Sequence, residues 1–526
     1  MGKTVRAWAM GLVLLLAAAS AYAQETPIRG GTLVFGVNAG DPPTYDCHAS
    51  SIFTIIHLLS PHYSNLLRID PANYPKVVGD LAESWTLSPD RMQFTFTLRD
   101  GVLFHDGSTL TSADVKASYD RIRNPPPGVV SLRRGQLATV AEIETPDPRT
   151  VVFKLNRPDQ SLIYTLASPF NCVFSAKMLR EDPDYPVRKV MGTGPFRFVR
   201  HVNGASWEGV RNPTYFKPGL PYLDGFRAQF VPGSAIVNAL QGGQVMADFR
   251  SLTPADRDRL LAGSGDRLMA EETPWSNSLL LVFQTQHKPF DDARVRRALS
   301  LAIDRYAGSA ALSKGTILGP VGGLLRPGYD LAATPEELAA IPGFGRDIAA
   351  NRAEARRLLA EAGVPALKFR IVNRSVPNPY LSAAVFLIDQ WRQIGVSVEN
   401  AQMPDSAYNT SINEGSFDVA IDFQGDAVDE PDFQLARYQS SSLSDNRARY
   451  TDPVIDDLYR RQSQEIDPAK RRVLLRAFET RFLTEAYNVP ILWWKRIVIR
   501  DKRIQGWTML PSHLIGQDLE TVWLKP

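Results

Sequence analysis

Net charge, cysteine and long apolar runs are all scarce in this chain, and each shortage removes a class of explanation. Fifty-nine lysines and arginines stand against 56 aspartates and glutamates in 526 residues, a formal charge of +3. So balanced a chain lacks the basic excess that polyanion binding needs, which argues against nucleic acid as a partner. Cys47 and Cys172 are the only thiols, too few and too far apart for a zinc ribbon or a Cys-x-x-Cys redox centre. The sequence has no G-x-S-x-G elbow, no H-E-x-x-H and no Walker sequence, so the common nucleophile, zinc and nucleotide signatures of enzymes are missing. It also has no internal repeat and no low-complexity tract.

What is present begins with an export signal. Lys3 and Arg6 precede an apolar run from Ala7 to Ala19, and Ala21-Tyr22-Ala23 supplies the small residues a signal peptidase needs, so cleavage is expected after Ala23. An uncleaved anchor is the alternative, but the run falls short of the about 20 apolar residues that span a bilayer. No cysteine follows it, which argues against a lipid anchor. Losing Lys3 and Arg6 leaves the mature chain with a formal charge of about +1 and no stable membrane insertion. In an oxidising compartment Cys47 and Cys172 can pair. Sequence does not supply the distance a disulfide requires, so a bridge and two free thiols both stay open.

At 44% hydrophobic content, a chain this long divides into two or more domains. The stretch from Val78 to Ile122 is the most legible. Phe94, Phe96 and Leu98 alternate with Gln93, Thr95 and Thr97, the period of two that makes a half-buried strand. Asp100-Gly101 and Asp106-Gly107 mark turns. Thr111 with Asp114 approximates a capping box, and Val115, Tyr119 and Ile122 line one face of the helix it starts. Val140 to Leu155 reads as a hairpin turning at Thr145-Pro146-Asp147-Pro148. Ile52 to Leu67 reads as an apolar helix, Leu279 to Arg305 as a strand followed by a helix capped at Asp291 or Asp292, and Arg352–Ala362, Leu381–Ile394 and Lys470–Ala486 as further helices. Pro490 to Trp494 is a buried-type strand. Strand and helix alternate, as an α/β lobe requires.

The wording of these segments resembles the solute-binding proteins of bacterial ABC importers, family 5. The match lies in Leu81-Ala82-Glu83-Ser84-Trp85, Phe94 to Arg99, Phe104-His105-Asp106-Gly107, Met191-Gly192-Thr193-Gly194-Pro195-Phe196, Asn212-Pro213-Thr214-Tyr215-Phe216 and Pro221-Tyr222-Leu223-Asp224. It extends over nearly all of the mature chain. The glycine pair at Gly192 and Gly194 fits a turn rather than a phosphate loop, because no βαβ context or Walker ending accompanies it. The resemblance implies an α/β, two-lobed periplasmic binding protein of class II, cluster C type, with an extra domain on lobe one. It implies lobe one over 24–70, 190–280 and 496–526, the extra domain over 71–189 and lobe two over 281–495. It implies a monomer in the periplasm that takes no cofactor, with a small polar solute, an inner-membrane ABC permease and its ATPase as partners.

The loop from Ile421 to Tyr438 bears most on the ligand. Peptide binders of this family carry an Asp there that takes the peptide's ammonium group, since a desolvated ammonium needs a carboxylate. Aligned on Pro431, this chain places Gln424 at the family's Trp and Ala427 at that Asp, so the carboxylate is absent or displaced by one to Asp426. Asp422, Asp426 and Asp429 either face a cationic ligand or form a solvated acidic loop. The resemblance adds Asp41 and Tyr45 in the first loop, and Trp275 and Asn277 before the crossing strand, as further cleft candidates. Trp493 and Trp494 are adjacent, so at most one reaches the cleft. Cys47, His48, His57 and His62 form the one His/Cys cluster, but His57 and His62 lie about 140° apart around a helix. The expected function is capture of a short peptide or peptide-like solute, with an opine, a sugar or a metal chelate as other ligands. A secreted hydrolase and a sensor are the competing classes.

Overall fold

The computed structural model describes residues 26–442 and 446–526; the expected signal peptide and its cleavage site lie outside them. Strand Gln93–Leu98 buries Phe94, Phe96 and Leu98 and leaves Gln93, Thr95 and Thr97 half-buried, as its alternation predicts. It sits inside an antiparallel four-stranded sheet, ordered Ala82–Leu87, Gln93–Leu98, Thr150–Leu155, Val140–Asp147. Helix Ser112–Arg123 starts at the capping box, where Asp114 Oδ2 accepts from Thr111 N at 2.7 Å. It lays Val115, Tyr119 and Ile122 into the sheet's core, Tyr119 edge-on to Phe153 at 5.4 Å. The hairpin turns later than expected. Pro146 and Asp147 stay in the first strand through a register slip, and Asp147 pairs with Thr150.

The large sheet has ten strands. Its order is Ser397–Met403, Lys368–Arg374, Val419–Gly425, Leu268–Phe283, Asn488–Asp501, Ala247–Asp248, Thr32–Val37, Gly225–Phe230, Ser206–Arg211, Phe196–Val202. The two long central strands divide the sheet into two halves, lobe two naming the one that ends at Ser397–Met403 and lobe one the one that ends at Phe196–Val202. Leu268–Phe283 and Asn488–Asp501 pair antiparallel from Leu268 opposite Asp501 to Val282 opposite Asn488. They therefore carry the sheet from one lobe to the other. Both run longer than the apolar stretches at Leu279 and Pro490 suggested, because their outer halves are mixed in polarity. The ladder is interrupted where Pro274, which has no N–H to give, pairs with Lys495 and the next pair is Ser278 with Trp493. Trp275, Ser276 and Asn277 thus stand opposite Trp494 alone.

Helices cover this sheet. Ala293–Leu301, Ile348–Glu361, Ser382–Arg392 and Pro468–Glu485 pack on lobe two, and Trp391 Nε1 donates to Leu299 O at 2.9 Å. The first of them is capped by Asp292, which accepts from Arg294 N. Gly363 and Gly395 follow two of these helices with positive φ, as helix stops do. The helix expected from Ile52 to Leu67 is shorter. It runs Phe53–Leu59, gives way to a 3₁₀ turn at Ser60–His62 carrying Pro61, and a strand begins at Leu67. Cys47 and Cys172 are joined in a disulfide, their Cα atoms 6.2 Å apart. Among the described residues no helix is long and apolar enough to cross a membrane.

Gly192 and Gly194 lie close against the backbone of His62 and Tyr63. A Cβ on Gly194 would lie 2.4 Å from His62 C and 2.6 Å from Tyr63 N, and those backbone atoms cannot swing away. Gly194→Ala is therefore expected to destabilise the protein by about 1–3 kcal/mol, the range for overpacking. A thermal unfolding midpoint clearly below wild type will show it, while Gly135→Ala, which meets open space, leaves the midpoint unchanged.

Candidate functional site

The interruption in the central ribbon opens onto a cavity of about 930 Å³ between the lobes. Trp275 and Asn277, two residues apart, both line it. The Trp275 ring stands edge-on to Trp494 at 5.5 Å and to His513 at 5.2 Å, and its Nε1 donates to His513 Nδ1 at 3.2 Å. Trp494 stacks on Phe423 at 5.8 Å and meets Tyr380 edge-on at 6.4 Å. These four rings make one aromatic wall. The opposite wall, from lobe one, offers Phe53, Ser51, Ser234, Arg250 and Thr253. Trp493 points the other way, is fully buried and donates Nε1 to Gly323 O at 3.0 Å.

Asp426 also lines the cavity. Its backbone is tied to the interruption, with Asp426 N donating to Ser276 O and Ser276 Oγ donating to Asp426 O at 3.0 Å. Gly425 faces Asn277 across the ladder, and any Cβ there would strike Asn277 Oδ1 at 2.4 Å. Gln424 lies one residue out of phase. Its strand turns Phe423 and Gly425 to the cavity and sends Gln424 into the core of lobe two, where Nε2 donates to Leu324 O at 3.0 Å and Oε1 accepts from Tyr438 Oη. Asp41 and Tyr45 do not line the cavity either. They close around His201, whose Nε2 lies 2.8 Å from Asp41 Oδ1 and whose Nδ1 lies 2.7 Å from Tyr45 Oη. The Gly204 N–H and His201 hold the Asp41 carboxyl below its usual range. The structure thus brings Trp275, Asn277 and Asp426 together and sets Asp41, Tyr45 and Gln424 elsewhere.

Apart from the half-buried Asp426, the acids of this loop are not solvated. Asp422 is buried between Arg374, at 3.2 Å, and Arg447. Asp429 is buried against Arg326 at 2.6 Å, with Gln434 donating to its other oxygen. Glu430 pairs with Arg471, and Asp432 accepts from Ser463 at 2.8 Å and from Gln462. Their partners come from distant parts of the chain, so no local pattern announced them. Burial still dominates, pushing the Glu430 carboxyl up to about 7.

The histidine cluster also disperses. His48 bonds Cys172 O, His57 bonds His513 O, and His62 bonds Phe196 O while accepting from Trp207 Nε1. Burial pushes each of the three down to about 3. Cys47 is taken up by the disulfide. Among the described residues no group of three His, Cys, Asp or Glu is placed to hold a metal ion.

Comparison with known proteins fits this architecture. Residues 76–446 match the family described as bacterial extracellular solute-binding proteins, family 5 Middle. The chain belongs to this family. The di/tripeptide-binding protein 2 of Pseudomonas aeruginosa (strain UCBPP-PA14) is 28% identical over 95% of this chain and 96% of its own. The glutathione-binding protein GsiB of Escherichia coli (strain K12) is 28% identical over 96% of each chain. Among solved structures, AgaA of A. tumefaciens R10 in complex with agropinic acid is similar with a TM-score of 0.77 and 26% identity, covering 94% of this chain and 99% of that one. Members of family 5 are periplasmic binding proteins that take up small solutes for a membrane permease and its ATPase. The two-lobed α/β fold of this chain is that of the family.

Two expectations follow. Arg326→Gln leaves the Asp429 carboxylate buried without its ion pair, and the loss in stability should reach about 3–5 kcal/mol, read by thermal unfolding. The second concerns acid. Five histidines are held below the ordinary 6.5 in the folded state, His48, His57 and His62 at about 3, His105 at about 4 and His513 well below it, so below pH 6.5 these groups bind more protons in the unfolded chain. Burial raises the carboxyls of Asp248, Asp429, Glu430, Asp432, Glu479 and Asp518, which act in the opposite sense, while carboxyls held low by their partners, among them Asp41, Asp292, Asp501 and Glu520, act with the histidines. Calorimetric scans should therefore show the midpoint falling as pH drops from 6.5 towards 3. A midpoint that rises or stays flat over this window is incompatible with buried, neutral histidines.

Proposed function

We propose that this protein is the periplasmic receptor of an ABC importer, capturing a short peptide or peptide-like solute, closing its lobes around it and presenting the closed form to the permease and its ATPase. The observation that carries this reading is the cavity of about 930 Å³ at the sheet crossing between the lobes, within the roughly 300–1,000 Å³ of small-molecule sites. An aromatic wall facing hydroxyl, amide and charged groups suits a polar organic solute of a few residues. Closure is driven only by the ligand's preference for the closed state. The peptide-binding and glutathione-binding relatives support a peptide, and the agropinic acid complex keeps amino-acid conjugates in the test panel.

In this reading Trp275, Asn277 and Asp426 contact the solute together with Trp494, Phe423 and Tyr380. The mature chain begins after Ala23, works as a monomer without inserting in the membrane, and carries out no reaction of its own. Lobe one spans 24–70, 190–280 and 496–526, the extra domain 71–189 and lobe two 281–495; the separate four-stranded sheet and the crossing at Leu268–Phe283 support that division.

Protein purified from its own periplasm should carry its ligand into native mass spectrometry. After stripping, di- to pentapeptides should raise the unfolding midpoint, a ligand at 100 times its dissociation constant adding about 2.7 kcal/mol. Trp494→Ala should weaken binding by about tenfold through loss of the aromatic platform. If opines, sugars or metal chelates shift the midpoint while peptides do not, the peptide reading is wrong. Turnover of a peptide or ester panel by the purified protein would revive the hydrolase.

A further inference from the structure

We infer that Arg250 anchors a carboxylate of the bound solute, so that the cavity accepts acids and rejects their amides. The inference rests on the reading of this cavity as the solute site, and it adds a residue and a chemical class to it.

Arg250 follows strand Ala247–Asp248, and its backbone is held on both sides. Arg250 N donates to Asp248 Oδ1 at 2.8 Å, and Arg250 O accepts from Arg496 Nε at 2.9 Å. The next residues are pinned to the ribbon, Ser251 Oγ accepting from Ile497 N at 3.0 Å and Leu252 N donating to Ile497 O at 2.8 Å. The side chain, by contrast, is left open. Its guanidinium lies over the Phe53 ring, Cζ 4.3 Å from the centroid, and makes no hydrogen bond or ion pair with any described residue. Its Nε is out of water with no acceptor. Among the described residues lining the cavity, no other is an arginine or lysine.

Other buried arginines of this protein are treated differently. Arg496 donates to the carbonyls of Phe249, Arg250 and Leu510, Arg305 to those of Pro490, Ser300 and Gly343, and Arg326 to Asp429. A guanidinium nitrogen withdrawn from water without an acceptor is costly; other arginines with an unpaired Nε, such as Arg121 and Arg476, hold a carboxylate or a carbonyl with their remaining nitrogens. Half-buried Arg250 has no acceptor from any described residue, which leaves that place to the occupant of the cavity.

The charges around it agree. Arg250 and Arg496 share the nearby carboxylate of Asp248, whose pKa burial lifts to about 6, and Glu271 acts on Arg496 alone. Asp256 is committed to the capping box with Thr253. His57 and His513 are held neutral, by burial first and by the two guanidiniums as well. The lobe-one wall therefore carries an excess of positive charge. On the facing wall Trp494 Nε1 is a second buried donor with no acceptor among the described residues. Two donors without acceptors, one of them charged and both in the cavity wall, call for an oxygen-rich anion. A planar guanidinium fits a carboxylate bidentately. That carboxylate belongs either to a peptide C-terminus or to a non-peptide amino-acid conjugate.

The test uses the mature protein stripped of ligand, titrated calorimetrically with dialanine, trialanine, glutathione and an N-(1-carboxyethyl) amino acid, each beside its carboxamide. At least one acid should bind wild type, with its amide about 10- to 150-fold weaker, the span of a charged hydrogen bond. Arg250→Gln should bind acid and amide alike at the weaker level, and Arg250→Lys should recover part of the difference. Equal binding of acid and amide by wild type overturns the inference, and so does an Arg250→Gln protein that keeps wild-type affinity, or failure of every acid to bind. The wild-type comparison decides even if a variant does not fold. Binding of the N-carboxyethyl acid alone, with its amide weaker, removes the peptide from the proposed function and leaves Arg250 in place.

Discussion

The antiparallel pairing of Leu268–Phe283 with Asn488–Asp501 is the constraint on which both lobes depend, since each half of the ten-stranded sheet is completed by one end of that ribbon. A continuous ladder would make the ribbon a stiff strut. Pro274 and the slip that follows it interrupt the ladder midway, where extra residues kink and twist a strand. The same slip gathers Trp275 and Asn277 opposite Trp494. Bending point and cavity wall are thus one feature, built from a missing N–H and from residues unpaired across the ribbon.

Much of this fold was legible. The alternation at Phe94, Phe96 and Leu98, the capping box at Thr111 and the glycine stops at Gly363 and Gly395 are local signals, and the structure uses each as read. The opposite facing of Trp493 and Trp494 also followed from strand periodicity. Other features depend on partners brought from far away. Whether Asp429 is solvated or buried is decided by Arg326, 103 residues earlier, and Asp422 is set by Arg374 and Arg447. The phase of Gln424 follows once Phe423 is known to face the cavity, but which face is inward depends on the neighbouring strands. Asp41 and Tyr45 sit near the first strand, as their position in the chain suggests, yet are spent on His201.

Arg250 shows a different limit. Nothing in its neighbourhood distinguishes it in sequence from Arg496 or Arg305, each a buried arginine among apolar residues. The distinction lies in what each guanidinium touches, and that is a property of packing rather than pattern. Such a distinction emerges only from accounting for polar atoms donor by donor.

The bridge between Cys47 and Cys172 has a topological consequence. The four-stranded sheet, its covering helix and the turns between them all lie within the 125 residues it spans, so this whole region is a covalently closed ring. A protease that cuts any exposed loop of the ring, such as the one after Arg123, converts the circle to a line but severs nothing. The two fragments remain one molecule until the bridge is reduced, and the receptor can lose chain continuity there without losing either piece.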